Sequence, residues 1–397
     1  MSELKRTILY QAHLDAGATM VDFGGWDMPI QYPEGIIAEH LYCRRHCGIF
    51  DVSHMGRIDV EGPDQVAFLQ HVLSSNVLAL DLNQAQYCII PDKNGYAIDD
   101  AYLYRFEEGK YFLVINAGNI DKDWAHLMNE AKNFDVKLTN VSDKYAAIAV
   151  QGPESKKILM TLSGGRQLTP ENVKNALNSL TMEGKPVRIA KTGYTGEPIG
   201  YELYCNSEDA RYFWDRLIEL GAKPTALGAR DTTRMEAALP LYGHEMGECE
   251  MGGEIQIYAV PLAKFAVSFD EAKGDFIGRE PLKKQFEALK KIMTRDYSSI
   301  EALPYRIQPI YLEGKGVLRK GFPIYCKDAW AEGKQIGYVT SGTMIPYYKT
   351  EGQGLESVFT DETGKRSIGL AYMDSRICQD FDIEIDIRGR RQPAKVV

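Results

Sequence analysis

The sequence predicts an α+β chain of two or three domains that ends in a β-barrel or sandwich. Three observations carry that expectation. At 397 residues the chain exceeds one ordinary domain and can bury a large core. A strand–Gly-Pro–acid–helix unit occurs twice, as IDVEGPDQVAFLQHVL at 58–73 and IAVQGPESKKILMTL at 148–162. In both, the proline fits a first helical turn and the acid favours the positive helix end, and two such units fit an α+β layer. From about Pro304 onward short strands and turns dominate: IQPIYLEG, GFPIYC, QIGYVTSGTM, SIGLAYM and FDIEIDIRGRR.

Composition narrows the function classes. The apolar share of 44% and charged share of 25% are those of a soluble globular protein. A net charge of −9 argues against general affinity for nucleic acid, and no apolar run is long enough to span a membrane. The stretch MSELKRTILYQAHL lacks an apolar signal core and carries an early acid, so neither secretion nor organelle import is expected. Cys43, Cys47, Cys88, Cys205, Cys249, Cys326 and Cys378 form an odd, scattered set that predicts reduced thiols and a cytoplasmic home. Cys43 and Cys47, near His40 and His46, read as part of a helix with a buried cysteine, because no second ligand pair follows at zinc-site spacing. His244-Glu245-Met246-Gly247-Glu248 is not HExxH, and no metal is expected.

Taken in order, residues 20–32 (MVDFGGWDMPIQY) read as an ordered loop in which Gly24-Gly25 lets the backbone pass close to another element. A helix follows from about Gly35 to Cys47 and stops at Gly48. IFDVSHMGRIDVEG reads as strand, with His54 packed in the strand register. Residues 85–105 read as a hairpin around Asn94-Gly95. Its second strand carries Asp99 and Asp100, which a period of two sends to opposite faces. Asp99 shares a face with Ala97, Ala101 and Leu103; Asp100 shares one with Tyr96, Ile98, Tyr102 and Tyr104. Acids are poor strand formers, so the pair asks for a reason. Helix is expected from about Asp121 to Lys132. TGYTGEPIGYELY opens a strand near Gly200 and is no phosphate loop, since no Lys-Ser/Thr follows. SEDARYFWDRLIELG reads as an amphipathic helix capped by Ser207. GARDTTRMEAAL reads as a helix with Arg230 and Arg234 on one face, Arg234 being expected in a surface pair with Asp231 or Glu236.

Together, DFGGWDMPIQY at 22–32, FDVSHMG at 50–56, the 85–105 hairpin, TGYTGEPIGYE at 192–202 and GARDTTRMEAAL at 228–239 resemble the aminomethyltransferase (T-protein) family of the glycine cleavage system. The likeness runs from about residue 7 to the C-terminus, with the motifs in the family's order. It implies α+β, ferredoxin-like layers around a central folate cavity plus a C-terminal β-barrel. The implied domains are 1–52 with 147–278 (folate-binding), 53–146 (carrying the hairpin) and 279–397 (the barrel). The implied reaction moves a one-carbon unit from the aminomethyl-dihydrolipoyl arm of H-protein to tetrahydrofolate, releasing ammonia. The resemblance implies Asp99 as the catalytic carboxylate, Glu202 and Arg230 on the folate, and Met55, Tyr87, Asn116 and Tyr194 as cavity wall. The chemistry agrees with such a set. A carboxylate matches pterin N–H donors, a guanidinium matches its acceptor edge or tail, and a fixed anion favours a cationic, iminium-like carbon.

Departures from the family pattern mark this chain. GEPIGYE holds one residue more than the usual form, expected to bulge out before Gly200. CEMGGEIQIYAVPLAKF is atypical, with Phe265 offered as a cavity-wall ring. Residues 292–303 and 348–366 read as insertions, the latter polar and turn-rich. These changes permit an alternative, a tetrahydrofolate-dependent demethylase of the same fold acting on a small methylated compound. A non-enzymatic folate-binding relative ranks lower, because its cysteine-containing marker is replaced by TGYTGEPIGYE.

Overall fold

The computed structural model describes residues 3–328 and 331–397; residues 1, 2, 329 and 330 lie outside the described residues. The chain forms two compact units. The first comprises Met1–Asp92, Ile98–Asp231 and Phe265–Ile277; the second comprises Lys93–Ala97, Thr232–Lys264 and Gly278–Val397.

The first unit is built on two β-sheets that face one another. One has six strands in the order Leu177–Met182, Lys185–Ala190, Gly200–Asn206, Tyr145–Gln151, Gly48–Asp51 and Lys223–Pro224. The other has five, in the order Gln84–Pro91, Ala97–Glu107, Lys110–Ile115, Gly56–Glu61 and Lys137–Asn140. Between them lies an aromatic cluster: Phe50, Ala149 and Tyr204 from the first sheet meet Tyr104, Phe106, Phe112 and Val114 from the second. Helices cover the outer faces. Ile158, Leu159, Phe213 and Trp214 pack on the six-stranded sheet, while Phe68, Leu69 and Leu127 pack on the five-stranded one. Each strand therefore has one face toward helices and one toward the opposite sheet, which sets the fate of the acid pair.

The internal repeat is structural. Strand Gly56–Glu61 leads into helix Gln65–Val72, and strand Tyr145–Gln151 leads into helix Ser155–Leu162. The linking glycines, Gly62 and Gly152, have φ of +128° and +120°, a region that side chains avoid. A Cβ at Gly152 would run into the carbonyls of His46 and Cys43.

Three local expectations change. IFDVSHMGRIDVEG is two strands in different sheets, because the chain turns at residues 52–55. Asp51 Oδ1 accepts from Ser53 N (2.9 Å), and the buried Arg57 guanidinium donates to the carbonyls of Ser53 (3.0 Å) and Met55 (2.7 Å). The 20–32 loop is a hairpin, Thr19–Phe23 with Trp26–Gln31, and Gly24 does pass another backbone, at Gly118. Ser207 opens a short 3-10 turn and donates to Asp143 O (2.6 Å) instead of capping the helix Ala210–Glu219.

The second unit holds a closed six-stranded barrel: Tyr305–Leu312, Val358–Asp374, Gln335–Glu351, Pro323–Cys326, Asp382–Ile387 and Arg390–Val396, the last pairing back with the first. Segment 348–366 is a paired β-ribbon prolonging two barrel strands, Tyr348 opposite Thr363 and Glu351 opposite Val358. Segment 292–303 takes in the end of helix Arg279–Met293 and a 3-10 turn at Ile300–Ala302. Arg234 is buried, not superficial: it donates to Leu239 O (2.8 Å) and Ser341 Oγ (3.2 Å) and stands 3.5 Å from buried Glu245. No described helix is long and apolar enough to cross a membrane.

Candidate active site

The strand Ala97–Glu107 splits its two acids as its period requires. Ala101 and Leu103, in step with Asp99, belong to the helix-side core; Tyr104 and Phe106, in step with Asp100, belong to the inter-sheet cluster. Asp99 is 0% exposed. Its oxygens accept from Asn116 N (2.9 Å), Asn116 Nδ2 (2.9 Å) and Asn119 Nδ2 (2.6 Å). Asp100 is 9% exposed and accepts from Asn116 Nδ2 (2.8 Å) and Tyr87 Oη (3.0 Å). The Asn116 amide thus spans both carboxylates. Burial and the Asp99 charge push the pKa of Asp100 up to about 7. On the helix Ile120–Glu130, Asp123 is held up at about 10 by burial and by Asp99.

From Asp100 a run of aromatic rings crosses the inter-sheet space. Tyr87 meets Tyr194 (6.2 Å between centroids) and Tyr102 (5.7 Å), and Tyr102 meets Tyr104 (5.8 Å). Tyr104 Oη then donates to Glu202 Oε2 (2.7 Å). The same oxygen accepts from Thr192 Oγ1 (2.6 Å) and Tyr204 Oη (3.2 Å). Three hydroxyls on one oxygen hold the carboxylate in place. No hydrogen bond to Oε1 is present among the described residues, so that oxygen can serve a ligand N–H. Burial raises the Tyr87, Tyr104 and Tyr204 phenols well above the ordinary range, so they are donors at neutral pH.

The loop before Glu202 accounts for the extra residue. Pro198 and Ile199 are exposed, the strand begins at Gly200, and Glu202 pairs with Ala149 across the sheet. Gly200 is required because a Cβ there would collide with the Gln151 side chain, which donates to Tyr201 O (3.0 Å). A pocket of about 410 Å³ opens beside Tyr102, Thr192, Gly193 and Gly200 and reaches the surface along residues 171–175 and 197–198.

Arg230, on the helix Leu227–Glu236, is partly buried. Burial lowers its pKa while Glu202, Tyr204 and Asp51 push it back up, which places three polar groups of the site in its field. Met55 packs beside the inter-sheet cluster. His54 lies against Phe23 (5.8 Å), and burial together with Arg230 pulls its pKa down to about 3. A neutral imidazole at pH 7 is a packed group there, not a base awaiting a proton. Phe265 is 76% exposed, so it walls no cavity in this unit. Sequence reasoning missed Asn119, Asp123, Tyr104, Tyr204 and Thr192. The run Tyr102–Tyr104 on one strand face was the available signal for Tyr104, and alternation with Glu202 on the strand Gly200–Asn206 was the signal for Tyr204; Asn119, Asp123 and Thr192 lie off the strands that carry the carboxylates they serve.

Comparison with known proteins gives the family. The family model of the GCVT N-terminal domain matches residues 9–258. The aminomethyltransferase of Deinococcus deserti is 39% identical over 394 residues, 98% of this chain and 95% of that protein. The aminomethyltransferase of Bacillus mycoides is 38% identical over 409 residues, 100% of this chain and 98% of that protein. A solved structure, the glycine cleavage system aminomethyltransferase T from Bartonella henselae, superposes with a TM-score of 0.79 at 26% identity, covering 99% of this chain and 96% of that one. By sequence over its whole length and by fold, the chain belongs to the aminomethyltransferase (GCVT) family of the glycine cleavage system.

Proposed function

We propose that this chain is the tetrahydrofolate-dependent aminomethyltransferase of glycine cleavage. It takes the one-carbon unit from the aminomethyl-dihydrolipoyl arm of H-protein to tetrahydrofolate, with release of ammonia. The observation that carries the reading is full-length likeness to aminomethyltransferases in a chain that keeps a buried acid pair across a tyrosine run from a hydroxyl-ringed glutamate. The demethylase alternative is not favoured, since relatives that match nearly the whole chain, those of Deinococcus deserti and Bacillus mycoides among them, are named aminomethyltransferases.

In this reading Glu202 holds the pterin N–H donors through Oε1, and Arg230 serves the acceptor edge or the acidic tail. Met55, Tyr87, Asn116 and Tyr194 form the wall. The acid pair works as a unit. Asp100 faces the inter-sheet space, stabilises positive charge on the transferred carbon and moves the proton that lets ammonia leave. Asp99, turned to the helix side and held by amide donors, supplies the neighbouring charge that adds to burial in raising the proton affinity of Asp100. The direct role thus passes from Asp99, where the resemblance put it, to its neighbour. The described residues offer no group of three or more metal-ligating side chains, and the proposed roles need none.

The proposal extends to three domains at 1–52 with 147–278, 53–146 and 279–397, supported by the separate strand sets of the two sheets and the barrel. It extends also to a cytoplasmic home, supported by seven free thiols, five of them buried. Purified protein mixed with tetrahydrofolate and loaded H-protein tests it: methylene-tetrahydrofolate should form, and none forming would favour the demethylase.

A further inference from the structure

Asp123 is fully buried on the helix Ile120–Glu130, and neither of its carboxyl oxygens meets a hydrogen-bond donor among the described residues. The polar group that faces it is the Asp99 carboxylate. Two bare carboxylates in contact away from water repel without compensation; with one proton between them the same contact becomes a hydrogen bond. The surroundings decide which acid holds that proton. Asp99 accepts three amide contacts, from Asn116 N, Asn116 Nδ2 and Asn119 Nδ2, all of which call for an acceptor. Asp123 has no such donors.

The remaining charged and titratable neighbours agree. On the same helix, Lys122 donates to Ile98 O (2.6 Å) and offers only partial relief. On the facing strand stands Asp100, a further acid. On the next strand, burial keeps the Tyr87 phenol and Cys88 thiol protonated, and neither supplies a positive charge.

We propose that Asp123 is a positioning residue: it keeps its proton through the catalytic cycle and donates it to Asp99, fixing Asp99 as the anion beside Asp100. Its pKa of about 10 is in keeping with this. The consequence falls on Asp100, whose proton affinity is raised first by burial and then by the charge at Asp99. If the proton sat on Asp99 instead, burial alone would hold Asp100 up, and its pKa would fall below its present value. That consequence rests on the transferase reading; the protonation state itself does not.

Infrared spectroscopy of the full-length protein with ¹³C-labelled aspartate reads the proton directly, at about pH 8.5, where a carboxyl titrating near 7 is almost wholly ionised. Wild type should show a carboxylic-acid carbonyl band that Asp123→Asn lacks. Absence of the band in wild type, or its survival in Asp123→Asn, overturns the inference. A pH–rate profile supplies the second readout. Asp123→Asn keeps an N–H for Asp99, and its acid limb should stay within about 0.3 unit of wild type, whatever the rate. Asp123→Leu has no donor, so Asp99 is left with its amide contacts alone, and the acid limb should fall by roughly half a unit or more. Equal displacement in both variants would mean that charge at position 123 matters and the donated hydrogen does not, which also overturns it. A persistent band in a protein without transferase turnover supports the protonation state and counts against the functional reading alone.

Discussion

Asp99 and Asp100 are neighbours in the chain, yet one strand's alternation gives them different surroundings. Asp99 meets amides and a helix; Asp100 meets tyrosines and the space shared with Glu202. Asp100→Asn should therefore slow transfer by about a hundredfold or more while folate still binds. Asp99→Asn should act indirectly, by moving the acid limb of the pH–rate profile downward from near 7. A slow Asp99→Asn beside a near-normal Asp100→Asn would return the direct role to Asp99. Because Asp100 must be ionised at the reacting centre and its pKa stands at about 7, the wild-type rate should fall about tenfold per unit below that pH. Glu202→Gln exchanges a charged acceptor for a neutral one. A tenfold to hundredfold weaker folate dissociation constant is expected, from about 1.5–3 kcal/mol for such a bond, and calorimetry reads it. His54 bears on stability. Its folded pKa of about 3 lies below the unfolded value near 6.5, so the unfolded chain binds more protons between these pH values. Stability then falls as pH drops through about 6.5, and thermal scans of His54→Gln from pH 7 to 5 should show a shallower loss than wild type. At this scale the sequence disclosed the acid pair and Glu202, since period and motif are local. Asn119 and Asp123 stayed hidden because their roles exist only once a helix is laid over the strand.

Elements bring these side chains together through a few backbone positions that tolerate only glycine. Gly152 links a central strand to its helix at φ +120°, hard against two carbonyls. Gly152→Ala should lower the melting temperature by several degrees, from about 2 kcal/mol or more of strain and displacement. Gly164→Ala, at φ +66° with open space around it, should lower it much less. Equal losses would show that the close approach does not matter. The repeated strand–Gly-Pro–helix unit was legible because both copies need the same turn. The break at residues 52–55 was not. FDVSHMGRIDVEG has strand-like composition throughout, and the turn is held by Arg57 reaching back to two carbonyls, a side-chain effect that no local pattern encodes. Ser207 was misread for a related reason: its hydroxyl is drawn to Asp143, sixty-four residues away.

In the whole molecule, the barrel answers the alternative that composition left open, and the likeness to the Bartonella henselae structure extends over nearly the entire chain. Strand-rich composition predicted the barrel's existence. Closure depends on the last strand pairing with the first, across about ninety residues, and so lay beyond any local reading. If folate binds the folded chain alone, tetrahydrofolate at a hundred times its dissociation constant should stabilise the protein by about 2.7 kcal/mol, visible as a rise of a few degrees in melting temperature. The same addition to Glu202→Gln should give a smaller rise. The account stands on the transfer reaction itself, and single-turnover mixing of wild type, Asp99→Asn and Asp100→Asn with tetrahydrofolate and aminomethylated H-protein measures it. Methylene-tetrahydrofolate should appear rapidly with wild type and a hundredfold or more slowly with Asp100→Asn. Formation at wild-type rate by Asp100→Asn, or none by the wild type, would contradict it.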